Sequence, residues 1–175
     1  MSDQERKSAV TFKGNPLTLI GQELKAGGQA PDFKTLAKDL SEVSLANSKG
    51  KTRLISVVPS LDTPVCELQT KRFNEEASKL PSTIAVYTVS MDLPFAQTRF
   101  CGAQHTDKIT CLSDHREASF GRAYGVLIKE LRLLARSVFV IGPDDKIQYV
   151  EYVKEVTQHP DYDKALNALK AGARA

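Results

Sequence analysis

The run Leu54-Ile55-Ser56-Val57-Val58 is almost continuously apolar and stops at Pro59. A strand exposed on one face alternates apolar with polar, whereas a strand covered on both faces reads as an unbroken run. A central strand with layers on both sides is therefore expected here. Downstream, Val65, Leu68, Phe73, Ala77 and Leu80 recur at helical spacing through VCELQTKRFNEEASKL, and TIAVYTVSMD (Thr83 to Asp92) reads as a second strand. Strand, helix and strand make a βαβ crossover.

The remaining segments extend the same pattern. VTFKGNPLTLI (Val10 to Ile20) has two alternating halves about Gly14-Asn15 and reads as a β-hairpin. Gly28-Gln29-Ala30-Pro31-Asp32-Phe33 reads as a turn. Short helices are expected from Pro94 to about Gln104 and from Arg116 to Tyr124, with a brief strand at Ile109 to Leu112 between them. Ser137 to Ile141 and Ile147 to Val153 form a hairpin about Gly142-Pro143-Asp144-Asp145, and Asp161 to Ala171 is an amphipathic closing helix. Repeats, low-complexity tracts and linkers are absent from the sequence, so the expectation is one α/β domain over residues 1–175, with a mixed sheet and helices on both faces.

Composition narrows the function classes. A chain of 175 residues with 41% hydrophobic content suits a single sizeable core. The net charge of +3 arises from 24 basic and 21 acidic residues without a clustered Lys/Arg tract, which favours neither nucleic acid nor a membrane as partner. The start MSDQERKSAVTFKG is polar where a signal peptide needs an apolar stretch. No apolar run approaches the ~18 residues of a membrane span, and the chain reads as cytoplasmic. Three cysteines are too few, and odd in number, for a secreted disulfide scaffold, so any disulfide is expected to be transient and catalytic.

In SVVPSLDTPVC, residues 56 to 66, the strand-ending Pro59 leads to a helix start. Thr63 is the natural N-cap, Pro64 suits the first helical position, and Cys66 falls in the first turn. Its sulfur can face unsatisfied backbone N–H groups and the positive end of the helix dipole, which favour thiolate over thiol. Acidity alone does not make a fast nucleophile. With a Brønsted slope of ~0.45, an acidified thiolate gives back in nucleophilicity most of what it gains in population. Charge on a leaving group must also be stabilised, by Thr63 Oγ1, the helix-start N–H groups, or a cation. Spacing alone does not separate Arg72, Arg99, Arg132 and Arg136 for that role.

Pro59-Ser60-Leu61-Asp62-Thr63-Pro64-Val65-Cys66 resembles the P-x-x-x-T-x-x-C signature of the peroxiredoxins. Gly28 to Phe33 is similar to the G-x-x-A-P-x-F segment of that family. Asp92-Leu93-Pro94-Phe95-Ala96-Gln97-Thr98-Arg99-Phe100-Cys101-Gly102 resembles the resolving-cysteine segment of its bacterial thiol peroxidase branch, the atypical two-cysteine type. Leu134 to Ile141 resembles the segment supplying the family's active-site arginine. With the hairpin, the similarity spans nearly the whole chain in order. It implies a thioredoxin-like α/β fold, a central mixed β-sheet flanked by helices with an N-terminal β-hairpin extension, commonly assembled as a homodimer. By this resemblance Cys66 is the peroxidatic cysteine, Thr63 orients peroxide and sulfur, Pro59 shields the sulfenate, Arg136 holds the thiolate and polarises the O–O bond, and Cys101 is the resolving cysteine. The implied reaction reduces hydrogen peroxide and organic hydroperoxides through a sulfenic acid and an intrasubunit disulfide, recycled by thioredoxin, with no metal or organic cofactor.

Cys111 lies outside these motifs, and the resemblance gives it no role; in Ile109-Thr110-Cys111-Leu112 it reads as a core thiol. Other classes compete. Cys101-x3-His105 and Cys111-x3-His115 invite a zinc site, but their order departs from common zinc spacings and the second pair crosses a strand end. A thiol–disulfide oxidoreductase of the same fold would carry C-x-x-C, which this chain lacks. A non-catalytic redox module would show ordinary thiol acidity and no peroxide turnover.

Overall fold

The computed structural model describes residues 3–173. The chain opens with β1 (Glu5–Phe12) and β2 (Asn15–Ile20), then the short strands β3 (Thr35–Leu36) and β4 (Glu42–Val43). A crossover follows: β5 (Thr52–Val57), α1 (Pro64–Ala77) and β6 (Ile84–Ser90). Next come α2 (Pro94–Gln104), β7 (Thr110–Ser113), α3 (Ser119–Ala123) and β8 (Leu127–Ile128). β9 (Ser137–Ile141), β10 (Ile147–Tyr152) and α4 (Tyr162–Ala173) close the chain.

The large sheet has the order β10-β9-β5-β6-β7-β3-β4. β5 is parallel to β6 and β6 to β7, whereas β9 is antiparallel to both β5 and β10, so the sheet is mixed as expected. Every residue of β5 is buried, which accounts for the almost continuous apolar run from Leu54. The two-residue period of a strand sends alternate side chains to opposite faces. Leu54, Val138 and Val140 join Phe73 of α1 and Ala165, Leu166 and Leu169 of α4 on one face. Ile55, Val57, Phe139 and Ile141 pack on the other against Phe120, Tyr124 and the hairpin residues Val10 and Leu19. Each fully buried aliphatic of this kind contributes roughly 1.5–3 kcal/mol from area removed from water, before conformational entropy is charged.

The structure differs from expectation in several details. The hairpin turn is Lys13-Gly14, with φ of 50° and 80°, not Gly14-Asn15. A type I′ two-residue connection needs positive φ at both central positions, and glycine satisfies the second without strain. The hairpin lies outside the large sheet, as an extension should; the unexpected part is β8, which pairs with β2 to make a separate three-stranded sheet. The helix expected over 116–124 shortens to α3, because Ala118 adopts a left-handed φ of 51° and stops any earlier start. β3, β4 and β8 are too short to leave a periodic signal.

Candidate active site

The site forms where β5 ends and the chain enters α1. Pro59 is buried in this connection, and Val58, Leu61 and Cys66 make a small apolar cluster beneath it. The loop is pinned by Asp92, just beyond β6. One carboxylate oxygen accepts from Ser60 Oγ at 2.7 Å, and the other from the Leu61 N–H at 2.8 Å and Ser90 Oγ at 2.7 Å. Asp92 thus fixes the angle at which the chain enters α1.

Thr63 occupies the N-cap position with extended backbone (φ −135°, ψ 147°), and Pro64 follows at the start of the helix. The expected side-chain cap does not form. Thr63 Oγ1 instead donates back to Ser60 O at 3.1 Å, and the residue is exposed. The hydroxyl therefore stays at the rim of the helix start rather than being spent on a backbone N–H inside it.

Cys66 is fully buried in the first turn of α1. Its sulfur lies 3.3 Å from Nη2 of Arg136, which selects this arginine from the four candidates. Arg72, Arg99 and Arg132 are exposed, whereas Arg136 is 2% exposed. Register explains the choice: Arg136 stands two residues before Val138, so the strand period aims it at the face that α1 covers. Its Nε donates to Val156 O at 2.9 Å and its Nη1 to Gln69 Oε1 at 2.8 Å. Both of these acceptors are neutral oxygens, which leaves Nη2 facing the sulfur.

Gln69, a turn after Cys66, was not anticipated from the sequence. It is fully buried, and its Nε2 donates to Ser56 Oγ at 2.7 Å, which leaves its carbonyl oxygen aimed at Arg136. The signal for it was a polar residue on the buried stripe of α1 three positions after Cys66, facing the equally unexpected Ser56 in an apolar strand. Thr70 Oγ1 donates to the Cys66 carbonyl at 2.8 Å and ties down the same turn.

Cys101 is placed elsewhere. It lies half-buried near the end of α2, and its sulfur is 2.9 Å from that of Cys111 on β7. Hydrogen bonding by the Cys111 thiol holds Cys101 below the usual thiol range, while the same contact and burial push Cys111 up. All three cysteines are free thiols, so Cys66 and Cys101 are not joined in this state. Cys111 packs as the sequence suggests for a core thiol, against the Val58, Leu61 and Cys66 cluster, and in addition touches the Cys101 sulfur. Among the described residues no group of three or more His, Cys, Asp or Glu side chains gathers as a metal site would require. No helix among them is long and apolar enough to cross a membrane.

A buried cysteine at a helix start, facing a buried arginine, can present a sulfur anion to an electrophile and stabilise negative charge leaving from it. Comparison with known proteins agrees with that chemistry. The redoxin family model matches residues 25–166. The chain is 61% identical to a thiol peroxidase of Bacillus subtilis over 162 residues, covering 93% of this chain and 96% of the relative. It is 60% identical to a thiol peroxidase of Halalkalibacterium halodurans, with 94% and 98% covered. Among solved structures, a peroxiredoxin-like protein from Aquifex aeolicus superposes with a TM-score of 0.88 at 44% identity, covering 96% of this chain and 98% of that one.

Proposed function

The chain belongs to the redoxin family, as one of its thiol peroxidases, and on that premise we propose that it reduces hydrogen peroxide and organic hydroperoxides through the sulfur of Cys66. The observation that carries this reading is the 3.3 Å approach of Arg136 Nη2 to Cys66 Sγ in the first turn of α1. The thiolate attacks the terminal peroxide oxygen, the O–O bond breaks, and the departing alkoxide or hydroxide takes a proton to leave as alcohol or water. Cys66 becomes a sulfenic acid. Arg136 holds the attacking sulfur and the oxygen that develops charge, and Thr63 Oγ1, at the rim, orients the peroxide. Pro59 keeps bulk water from the sulfenic acid.

The sulfenic acid then condenses with the thiol of Cys101, releasing water and forming an intrasubunit disulfide. A thioredoxin-type dithiol reduces it. The rest of the reading is a cytoplasmic, single-domain chain working as a homodimer without metal or organic cofactor. The exposed apolar side chains Leu68, Leu93 and Phe95 around the starts of α1 and α2 support a protein partner there.

Cys66→Ser tests the central step. A hydroxyl neither ionises as a thiol does nor enters the sulfenate ladder, so peroxide consumption with thioredoxin as reductant should vanish. Turnover near that of the unmodified chain would refute Cys66 as the attacking group.

A further inference from the structure

The contact between Cys101 and Cys111 has no part in the cycle just described. It lies at a cavity of about 590 Å3, lined by Lys38, Gln97, Thr98 and Thr106 as well as by both cysteines. Cys66 sits instead in a closed apolar cluster with no exposed surface. The first disulfide therefore starts at the sulfur hardest for an external reductant to reach, while a thiol pair stands ready at an open one.

We propose that Cys111 attacks the Cys66–Cys101 disulfide at the Cys101 sulfur, freeing Cys66 and moving the oxidation to a Cys101–Cys111 disulfide, from which an external dithiol removes it. This rests on the peroxidase reading, which supplies the first disulfide. The step is thiol–disulfide exchange: the Cys111 thiol loses a proton, its sulfur bonds to that of Cys101, and Cys66 departs as a thiolate. No further oxidant is needed, and one disulfide replaces another.

Three features favour the direction of transfer. The leaving thiolate returns to Arg136, whose Nη2 already faces it and whose other partners are neutral. Once Cys101 is in a disulfide, the hydrogen bond with its sulfur that, together with burial, holds the Cys111 proton in place is lost. Finally, Cys101 and Cys111 already touch where α2 packs on β7, so their bond asks for little rearrangement, whereas the Cys66 sulfur faces Arg136.

Peptide mapping decides it directly. Trypsin cuts after Arg53, Lys71, Arg99, Lys108 and Arg116, which places each cysteine on its own peptide. The reduced chain is given one equivalent of hydrogen peroxide without reductant, quenched in acid, alkylated and digested without reduction. Expected is peptide 100–108 joined to 109–116, with Cys66 alkylated; in Cys111→Ser, 54–71 should instead be joined to 100–108. Because the relay frees Cys66, the unmodified chain should consume about two equivalents of peroxide before stalling, against about one for Cys111→Ser. A final state in which 54–71 is joined to 100–108 while Cys111 is alkylated overturns the relay, as does 54–71 joined to 109–116. Should Cys111→Ser fold poorly, the map of the unmodified chain still decides. If peroxide leaves every thiol alkylatable, the peroxidase reading fails instead. The thiol pair is then tested alone in Cys66→Ser equilibrated with oxidised and reduced glutathione, where absence of a 100–108 to 109–116 link would refute it.

Discussion

At the residue scale, the site depends on how Arg136 is held as much as on its charge. Arg136→Met keeps the apolar stem and removes the cation, so kcat/KM for peroxide should fall by an amount equivalent to ~2–4 kcal/mol of transition-state stabilisation. Arg132→Met, at an exposed position, should leave it unchanged; the reverse outcome would reassign the arginine. Gln69 separates positioning from charge. Gln69→Leu removes the acceptor at Nη1 and should cost roughly 10-fold in kcat/KM through a loosened guanidinium, in line with the loss of one charge-assisted hydrogen bond. Gln69→Glu keeps the acceptor but offers Arg136 a carboxylate that competes with the sulfur. It should slow alkylation of Cys66 by iodoacetamide more than Gln69→Leu does, and an order opposite to this would assign Gln69 to packing alone. Cys66 was legible because the Thr63-Pro64 helix start places it in the first turn, whereas Arg136 was reached only through the family resemblance, since spacing did not separate it from Arg72, Arg99 and Arg132. Gln69, Ser56 and Asp92 were not legible, since their importance comes from partners on other elements that no local spacing reveals.

At the element scale, the N-terminal hairpin is coupled to the site through one carboxylate. Glu155 accepts from the Thr11 hydroxyl, from the Lys13 N–H at 2.7 Å and from the Gly14 N–H at 3.3 Å, so it caps the turn of β1 and β2. The neighbouring Val156 gives its N–H to Thr11 O and its carbonyl to Arg136 Nε. These bonds, that from Thr11 first, hold the Glu155 carboxyl at about 2, well below its ordinary value. A carboxyl whose folded value is depressed binds fewer protons folded than unfolded, so its stabilising contribution is present above about 4.5 and is lost as pH falls toward about 2. Urea midpoints measured from pH 6 to pH 2 should therefore show Glu155→Gln less stable than the unmodified chain at pH 6, with the gap closing through that window. A gap independent of pH would mean that the carboxylate charge contributes nothing to holding the hairpin. The long elements were legible from periodicity, as the burial of all of β5 illustrates. The two-residue strands were not, because β8 is defined by its pairing with Leu19 and Ile20, far away in sequence.

At the scale of the whole molecule, the proposed disulfides ask the sheet to stay rigid while two helix segments move across its end. The structure holds Cys66 buried against Arg136 and Cys101 against Cys111, and a Cys66–Cys101 bond requires Cα atoms within ~7 Å and suitably aimed side chains. The yielding parts are identifiable. α1 begins without a side-chain cap, and α2 is short, with only Pro94 and Gln97 among its buried residues. The Gln97 amide, bonded to Ser90 Oγ at 3.0 Å and Leu112 O at 2.9 Å, supplies much of the polar attachment of α2 to the sheet. Local opening draws on such weakly held segments first. In Cys111→Ser oxidised with one equivalent of peroxide, amide hydrogen exchange should therefore quicken over 63–66 and 94–103, while Leu54 to Val58 stays protected by its two flanking strands. Equal protection before and after oxidation, with the Cys66–Cys101 bond confirmed by mass, would rule out the movement. In the unmodified chain the same treatment should leave both segments close to their reduced rates, because transfer of the disulfide to Cys101 and Cys111 lets the first turn of α1 re-form around Arg136 and returns α2 to β7. Opening belongs to the first disulfide and closure to the second, so the seating of Cys66 against Arg136 is restored without an external reductant.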